Sequence, residues 1–303
     1  MVGTARAAET LRPRSLEEAL EFRARTGAVP FAGGTDLMVK YRGYTGTGVH
    51  MPFPVLFLDA VADLRAIEAV EDQILIGAGV TCAQMLEKAD VLPELLRRAV
   101  ELIASPALRT RATMAGNVAN ASPAGDTIPP LFVHEAEVVL QSPERERRLP
   151  VGDFLTGPGT TALEESEIIT GFVVPRLPEG RLYYRKVGTR RANALSKLSA
   201  AGYARLDGGR IAVLRFAVGA VAPTVVRLRE AEKLLAGAEI TDIDMQALLA
   251  AAEVSITPID DQRSTAAYRR QVALNSLQEF LSTLADPASS APASPAHLSP
   301  EET

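Results

Sequence analysis

Between residues 29 and 37 the chain reads Val29-Pro-Phe-Ala-Gly-Gly-Thr-Asp-Leu37, an apolar run that stops abruptly at two glycines, a hydroxyl and a carboxylate. Val29 to Phe31 suits a short buried strand and Asp36 to Tyr41 can begin a helix, which leaves Gly33 and Gly34 in the turn between them. Glycines let the main chain approach a bulky anion, Thr35 adds a hydroxyl donor, and a helix beginning there adds partial positive charge. The turn therefore reads in two ways, as a seat for a phosphate or as an ordinary tight strand-to-helix connection. The segment alone does not decide between them.

The neighbouring stretches organise around this turn. Ser15-Leu-Glu-Glu18 predicts a capping box, followed by Leu16, Ala19, Leu20 and Phe22 at helical spacing, with Gly27 closing the helix. A loose segment from Gly43 to Gly48 leads to the apolar run Val55-Leu-Phe-Leu58, which completes a small strand–helix–strand unit over residues 1–58. A second subdomain is expected over residues 59–178. It begins with a hairpin, Ile67 to Val70 and Ile74 to Ile76 around Glu71-Asp72-Gln73, followed by helices over Thr81 to Lys88 and Leu92 to Ala104. From Ser105 to Pro130 little periodicity remains, and Thr113, Gly116, Asn117, Asn120, Ser122 and Asp126 read as a long polar loop, uncommon unless it binds something. Strands then resume at Ala136 to Gln141, Glu146 to Leu149 and Ile168 to Val174, with Pro175 ending the last.

Residues 179–285 read as a separate module. Leu198 to Leu206 and Ile211 to Val221 are strands joined by Asp207-Gly-Gly209, a strong hairpin signal. Helices over Val226 to Leu235, Ile243 to Ala252 and Ser264 to Leu284 should cover that sheet, the last through Ala267, Tyr268, Val272, Leu274, Leu277 and Phe280. The Ala/Pro/Ser-rich stretch 286–303 is expected to be disordered. The fold class is thus α+β, with a two-subdomain first domain and a small antiparallel sheet packed by helices in the second.

Composition removes several function classes. The 303 residues carry a formal net charge of -5 with both signs interspersed, which offers nucleic acid or an anionic membrane no basic footprint. No run reaches the roughly 18 apolar residues of a membrane span and the N-terminus lacks a signal-peptide core, so the expected location is cytoplasmic. Cys82 is the single cysteine, which rules out an internal disulfide and an iron–sulfur cluster held by this chain's own thiolates. The three histidines, His50, His134 and His297, fall in no ligand spacing, and no metal site is expected. Gly77-Ala-Gly79-Val-Thr-Cys82 begins like a dinucleotide fingerprint, but cysteine stands where close helix–strand packing wants glycine or alanine. Walker, Gly-x-Ser-x-Gly and His-Glu-x-x-His patterns are all missing.

The first glycine turn acquires meaning beside a second stretch, Ala112-Thr-Met-Ala-Gly-Asn-Val-Ala-Asn-Ala-Ser-Pro-Ala-Gly-Asp126. Together they resemble the FAD-binding (medium) subunit of the molybdenum hydroxylases, the family of xanthine dehydrogenase-like enzymes and carbon monoxide dehydrogenase. The resemblance extends through Ile76-Gly-Ala-Gly79, Gly157-Pro-Gly159, Glu167-Ile-Ile169, Lys186-Val-Gly-Thr-Arg190, Pro258-Ile-Asp-Asp261 and Tyr268-Arg269, and so covers about residues 10 to 284. It implies a two-subdomain FAD-binding domain of the vanillyl-alcohol-oxidase/PCMH-like type. It also implies FAD contacts from Ala32, Gly33, Gly34, Thr35, Asp36 and Leu37 at the diphosphate and adjoining ribose. Ala112, Thr113, Gly116, Asn117, Asn120 and Asp126 would follow at the diphosphate, ribitol and flavin side. Ile169 matches an aliphatic position near the cofactor, and Lys186 a basic residue on the flavin side, where a cation favours the anionic reduced ring. Read without the family, Lys186 is a solvated lysine at a strand end.

The implied function is electron transfer. A large molybdopterin-binding subunit and a small iron–sulfur subunit are the expected partners, and FAD on this chain passes electrons to NAD+ or a quinone-like acceptor. No residue of this chain is assigned as acid, base or nucleophile. Arg190-Arg-Ala-Asn-Ala-Leu-Ser-Lys197 leans toward the xanthine dehydrogenase-like branch. Two features depart from the family pattern: Ala115 replaces the first glycine of Gly-Gly-Asn, where a positive φ would be costly, and the connection Tyr44 to Phe53 is longer than usual. A stand-alone flavin oxidase or reductase, and a non-redox scaffold subunit that has lost FAD, are the alternatives.

Overall fold

The computed structural model describes residues 10–43, 48–190 and 193–285. The tail 286–303, residues 44–47 of the long connection and residues 191–192 of the Arg190 to Lys197 segment lie outside the described residues.

The chain begins with β1 (Thr10–Leu11), α1 (Leu16–Thr26), β2 (Val29–Phe31), α2 (Leu37–Lys40) and β3 (Val55–Phe57), and the strands pair in parallel in the order β1-β3-β2. The Ser15 hydroxyl accepts from the Glu18 N–H at 3.2 Å, as a capping box requires, but the Glu18 carboxylate reaches one residue further back, to the Arg14 N–H at 2.7 Å. Gly27 ends α1 at φ 62, a left-handed conformation that glycine adopts without strain. Because side chains alternate along β3, Leu56 packs with Ala19, Leu20, Leu58, Val61 and Leu64 under α1. Val55 and Phe57 face the other way.

The second unit comprises β4 (Ile67–Val70), β5 (Gln73–Gly77), α3 (Cys82–Glu87), α4 (Glu94–Leu102), α5 (Pro106–Arg109), α6 (Met114–Ala119), α7 (Ile128–His134), β6 (Glu137–Gln141), β7 (Glu146–Pro150), α8 (Val151–Phe154), β8 (Leu155–Gly157), β9 (Thr160–Thr161) and β10 (Ile168–Pro175). Five strands form an antiparallel sheet in the order β4-β5-β10-β6-β7. The expected long loop from Ser105 to Pro130 is instead occupied by α5, α6 and the start of α7. These helices are too short to display a hydrophobic period, and the hydroxyls that read as loop residues are their caps. Ser105 Oγ accepts from the Leu108 N–H at 3.3 Å, and Thr113 Oγ from the Gly116 N–H at 3.0 Å.

The last unit holds β11 (Arg181–Gly188), β12 (Ser196–Asp207), β13 (Arg210–Gly219), β14 (Val226–Arg227), α9 (Arg229–Leu235), α10 (Met245–Glu253) and α11 (Ala266–Ala285). Its sheet is antiparallel in the order β11-β12-β13-β14, with Gly208 and Gly209 at positive φ in the central hairpin. Val226 belongs to an edge strand rather than to a helix. On α11 the buried stripe runs Arg269, Ala273, Leu274, Leu277, Phe280, Leu281 and Leu284, so Ala267 and Tyr268 lie off the face assigned to them. Phe280 meets Tyr183 at 5.5 Å and Phe216 at 5.9 Å.

This unit shares packing with the preceding one. One face of its sheet packs on α9, α10 and α11, while Ala201, Tyr203 and Ala217 on the other face join the core of the preceding unit. Helix α7 lies across β12 and β13 there. Arg215 donates to Val133 O at 2.9 Å and Arg227 to Phe132 O at 3.2 Å, satisfying carbonyls at the end of α7.

Candidate cofactor site

The first glycine turn and the second motif meet backbone to backbone. A Cβ at Gly33 would lie 2.0 Å from the Arg111 carbonyl oxygen, so only glycine permits this approach. Gly34 sits at φ +72, and a Cβ there would enter the Phe31 ring. None of the N–H groups from Gly33 to Leu37 donates to an acceptor within the described residues. Helix α2 is a single turn, held by Met38 N to Gly34 O at 2.8 Å and Lys40 N to Asp36 O at 2.9 Å. Its dipole is correspondingly small, so the attraction for an anion comes from the row of free N–H groups rather than from the helix start that the sequence pointed to. Asp36 is exposed and makes no capping bond.

The second motif is anchored to α3. Cys82 N donates to Ala112 O at 2.7 Å, Thr81 and Thr113 form an isolated bridge, and Thr81 and Gln84 close a capping box at the start of α3. Thr113 is buried with its oxygen accepting from the Gly116 N–H. Ala115 lies in the first turn of α6, is buried, and is not among the residues at positive φ. The strain expected of an alanine there does not arise. Asn117 Oδ1 accepts from the Thr127 hydroxyl at 2.7 Å, which ties α6 to α7, while its side-chain N–H₂ has no partner among the described residues. Asn120 closes α6 with its side chain exposed and unbonded among the described residues.

Further along, Lys186 on β11 points its ammonium at Asp126, with Nζ to Oδ2 at 2.8 Å and Nζ to Leu102 O at 2.9 Å; the two side chains are 8% and 9% exposed. Ser196 donates to the other Asp126 oxygen and the Tyr184 hydroxyl to the Asp126 carbonyl. Neither the open lysine of a strand end nor a free cation is seen; the charge is paired. Ile169 is buried in the core beside a bulge at Thr170, whose carbonyl accepts from the Ala78 N–H at 3.0 Å. The dinucleotide-like glycines have a packing explanation, since a Cβ at Gly77 would lie 2.3 Å from Leu64 O. Glu167, nearly inaccessible, holds the Arg147 guanidinium through both oxygens at 2.6 and 2.8 Å, which keeps its carboxyl below the ordinary range despite burial.

Two clefts open at the Gly33 contact. A small one of about 40 Å³ is lined by Ala32, Leu58, Asp59, Arg65, Gly79, Thr81, Arg111 and Thr113. A larger one of about 610 Å³ lies over the face of the parallel sheet turned away from α1, where Phe31, Val55 and Phe57 meet Met38 and His50, and Arg111 borders this one too. Arg111, Arg65 and Thr81 escaped the sequence reading because a lone arginine or threonine beside a motif carries no periodic signal. Its adjacency to Ala112 was the one available hint.

A family described as the FAD binding domain in molybdopterin dehydrogenase matches residues 6–177. The chain belongs to that family. A second, the CO dehydrogenase flavoprotein C-terminal domain, matches residues 183–284. The chain is 30% identical over 244 residues to the xanthine dehydrogenase FAD-binding subunit of Escherichia coli O157:H7, covering 78% of this chain and 82% of that one. It is 29% identical over 268 residues to the carbon monoxide dehydrogenase medium chain of Hydrogenophaga pseudoflava, covering 86% and 91%. A solved structure of carbon monoxide dehydrogenase from H. pseudoflava superposes with a TM-score of 0.83 at 26% identity, covering 91% of this chain and 96% of that one. The chain is therefore an FAD-binding subunit of the xanthine and CO dehydrogenase type of molybdenum hydroxylase, an oxidoreductase component.

The residues fit an FAD. The unpaired N–H row beside a glycine that a Cβ would close supplies donors for a diphosphate, and the free amide of Asn117 and side chain of Asn120 supply donors beyond it. Among the described residues no group of three or more His, Cys, Asp or Glu side chains could hold a metal, and no helix is long and apolar enough to cross a membrane.

Proposed function

We propose that this chain is the flavin subunit through which a multi-subunit molybdenum hydroxylase passes electrons from iron–sulfur clusters on a small partner chain to NAD+ or a quinone-like acceptor. Substrate oxidation then takes place on a large molybdopterin-binding partner. The observation that carries this reading is the backbone contact of Gly33 with Arg111, which presents the free N–H groups of Gly33 to Leu37 to one ligand beside Ala112 and Thr113. FAD, when bound, supplies a carrier that exchanges one or two electrons.

The chain's own residues bind and orient. Ala32 to Leu37 hold the diphosphate, Gly116 leaves room for the ligand beside the backbone, Asn117 and Asn120 extend the donor set toward the ribitol, and Lys186 with Asp126 brings a paired charge to the flavin side. Ile169 supports the site from the core. The FAD-binding domain spans 1–178, with subdomains 1–58 and 59–178, and 179–285 forms the C-terminal domain, within a cytoplasmic complex.

Co-expression with the neighbouring reading frames tests this. The expected product is a yellow complex whose flavin is reduced anaerobically by the substrate of the large chain and reoxidised by NAD+ or a quinone. A colourless chain defeats the flavin reading. A chain that oxidises an organic substrate without partners defeats the electron-transfer reading.

A further inference from the structure

Two side-chain donors of the candidate site are left uncommitted, and both hang from the dipeptide Asp126-Thr127. The Lys186 ammonium commits two of its three N–H groups, to Asp126 Oδ2 at 2.8 Å and to Leu102 O at 2.9 Å, and the third has no acceptor among the described residues. The side chain is nevertheless only 8% exposed. The other donor is the Asn117 amide, whose Oδ1 is taken by the Thr127 hydroxyl at 2.7 Å while its nitrogen stays unbonded among the described residues. Asp126 thus fixes one donor and Thr127 the other.

Asp126 is itself held from a distant part of the chain. Ser196, buried at the start of β12, donates its hydroxyl to Asp126 Oδ1, and Tyr184 on β11 donates to the Asp126 carbonyl oxygen at 3.2 Å. Each carboxylate oxygen therefore has one donor, Ser196 on the first and Lys186 on the second. The two donors stand on paired strands, with Gly188 opposite Ser196, so both reach Asp126 from one sheet. A buried carboxylate bonded through a single oxygen can turn about its side-chain axis, and more of its charge is felt by its surroundings. The Ser196 hydroxyl prevents both.

We propose that Ser196 is a positioning residue for electron transfer: its hydroxyl holds Asp126 against Lys186, keeps the pair neutral and leaves the third N–H of Lys186 directed at the flavin. This rests on the flavin reading, which puts Lys186 and Asp126 on the flavin side of the ligand. Reduction adds negative charge to the ring, so the midpoint potential reports the field of the pair. Without the Ser196 hydroxyl, Asp126 turns an unshared negative charge toward the ring and draws the ammonium to itself. The reduced form is then less stable and the potential falls. Ser196 acts through Asp126.

The test is a spectroelectrochemical titration of the full chain loaded with FAD, in wild type, Ser196→Ala, Ser196→Thr, and Asp126→Asn with and without Ser196→Ala. Ser196→Ala is expected to shift the two-electron equilibrium about tenfold toward the oxidised form, a fall of about 30 mV in midpoint potential. Ser196→Thr keeps the hydroxyl and is expected to stay within about twofold of wild type. In the Asp126→Asn background the carboxylate is gone, and Ser196→Ala is expected to shift the equilibrium by less than about twofold. Flavin content and thermal melting are recorded alongside, because loss of a buried hydrogen bond lowers stability whatever the residue does, and only the potential separates positioning from packing. Ser196→Ala at the wild-type potential overturns the proposal however much stability it loses, and so does an equal fall in the Asp126→Asn background. If Ser196→Ala retains no flavin, recovery of flavin and potential in Ser196→Thr supports the role of the hydroxyl, and no recovery overturns it. A wild type that takes up no flavin defeats the flavin reading and this proposal together, whereas a yellow wild type whose potential ignores Ser196→Ala defeats the proposal alone.

Discussion

Lys186 and Asp126 bind each other at 2.8 Å across the junction between the edge strand β11 and the connection from α6 to α7, almost out of reach of solvent. The Leu102 carbonyl and the Ser196 hydroxyl complete their hydrogen bonds. An ion pair of this kind contributes little over an apolar packing of the same volume, yet removing one partner strands the other charge. Lys186→Met is therefore expected to lower unfolding free energy by about 3 kcal/mol in denaturant titration. Lys186→Met combined with Asp126→Asn should recover much of that loss; a double variant as unstable as the sum of the singles would show that the pair is not the coupling element.

Gly33 offers a sharper contrast. Gly33→Ala places a methyl 2.0 Å from the Arg111 carbonyl, so the two subdomains must separate locally and the N–H row must turn. The expected outcome is a chain that retains little flavin and loses about 2 kcal/mol or more of stability, a cost in the range of core overpacking. Gly48→Ala, with nothing within 4 Å of the new Cβ, serves as the neutral control in absorbance and thermal melting.

His134 makes the fold sensitive to acid. Its imidazole is 3% exposed, and burial, assisted by nearby Arg215, pushes its pKa down to about 4 although its Nδ1–H donates to Pro175 O at 2.7 Å. A carbonyl can only accept, so Nδ1 carries the proton and Nε2, which has no partner among the described residues, is the nitrogen that must be charged. An unfolded histidine takes up a proton below about pH 6.5, the folded one only near pH 4. The unfolded state therefore binds more protons between these values, and stability falls as pH drops from about 6.5 to 4, by at most about 3 kcal/mol from this group. Denaturant midpoints of wild type and His134→Gln at pH 7 and 5 measure it: the variant should lose less between the two than wild type does.

Ala115 carries an unusual expectation for a motif position. It lies in helical conformation, so Ala115→Gly restores the family's glycine but relieves no strain. The variant is expected to bind FAD as wild type does and to unfold with about 1 kcal/mol less resistance, the ordinary helix cost of glycine. A gain in flavin affinity would mean that the close contact at this position matters.

What could be read beforehand, and what could not, follows from scale. The hairpin at Asp207-Gly-Gly209, the cap at Ser15 and the stop at Gly27 are decided by neighbours in sequence, and they stand as expected. Strand β11 was not among the predicted strands because Arg181-Leu-Tyr-Tyr-Arg-Lys-Val-Gly188 has neither an apolar run nor a polar–apolar alternation, its burial being set by α11 and α4 far away in sequence. Helices α5 and α6 went unread because a helix of one or two turns has too few residues for a period, and its caps mimic a loop. At the site, Gly33 and Gly34 were visible as a pair, whereas the pairing of Lys186 with Asp126 is a tertiary fact. Thr113 reads alike in sequence as a helix cap and as a ligand donor, because both roles call for the same hydroxyl, and the cap leaves its O–H free to donate.

The sheet of the last unit has two faces that answer to different cores, with Tyr183 and Phe216 under α11 and Ala201, Tyr203 and Ala217 against α7. The two family matches meet near residues 177 and 183, and packing continues across that seam. A chimera joining this first domain to the last domain of a relative would inherit a half-core made for another partner. Exchanging the last domain without matching α7 to the inner face of β12 and β13 is expected to cost stability.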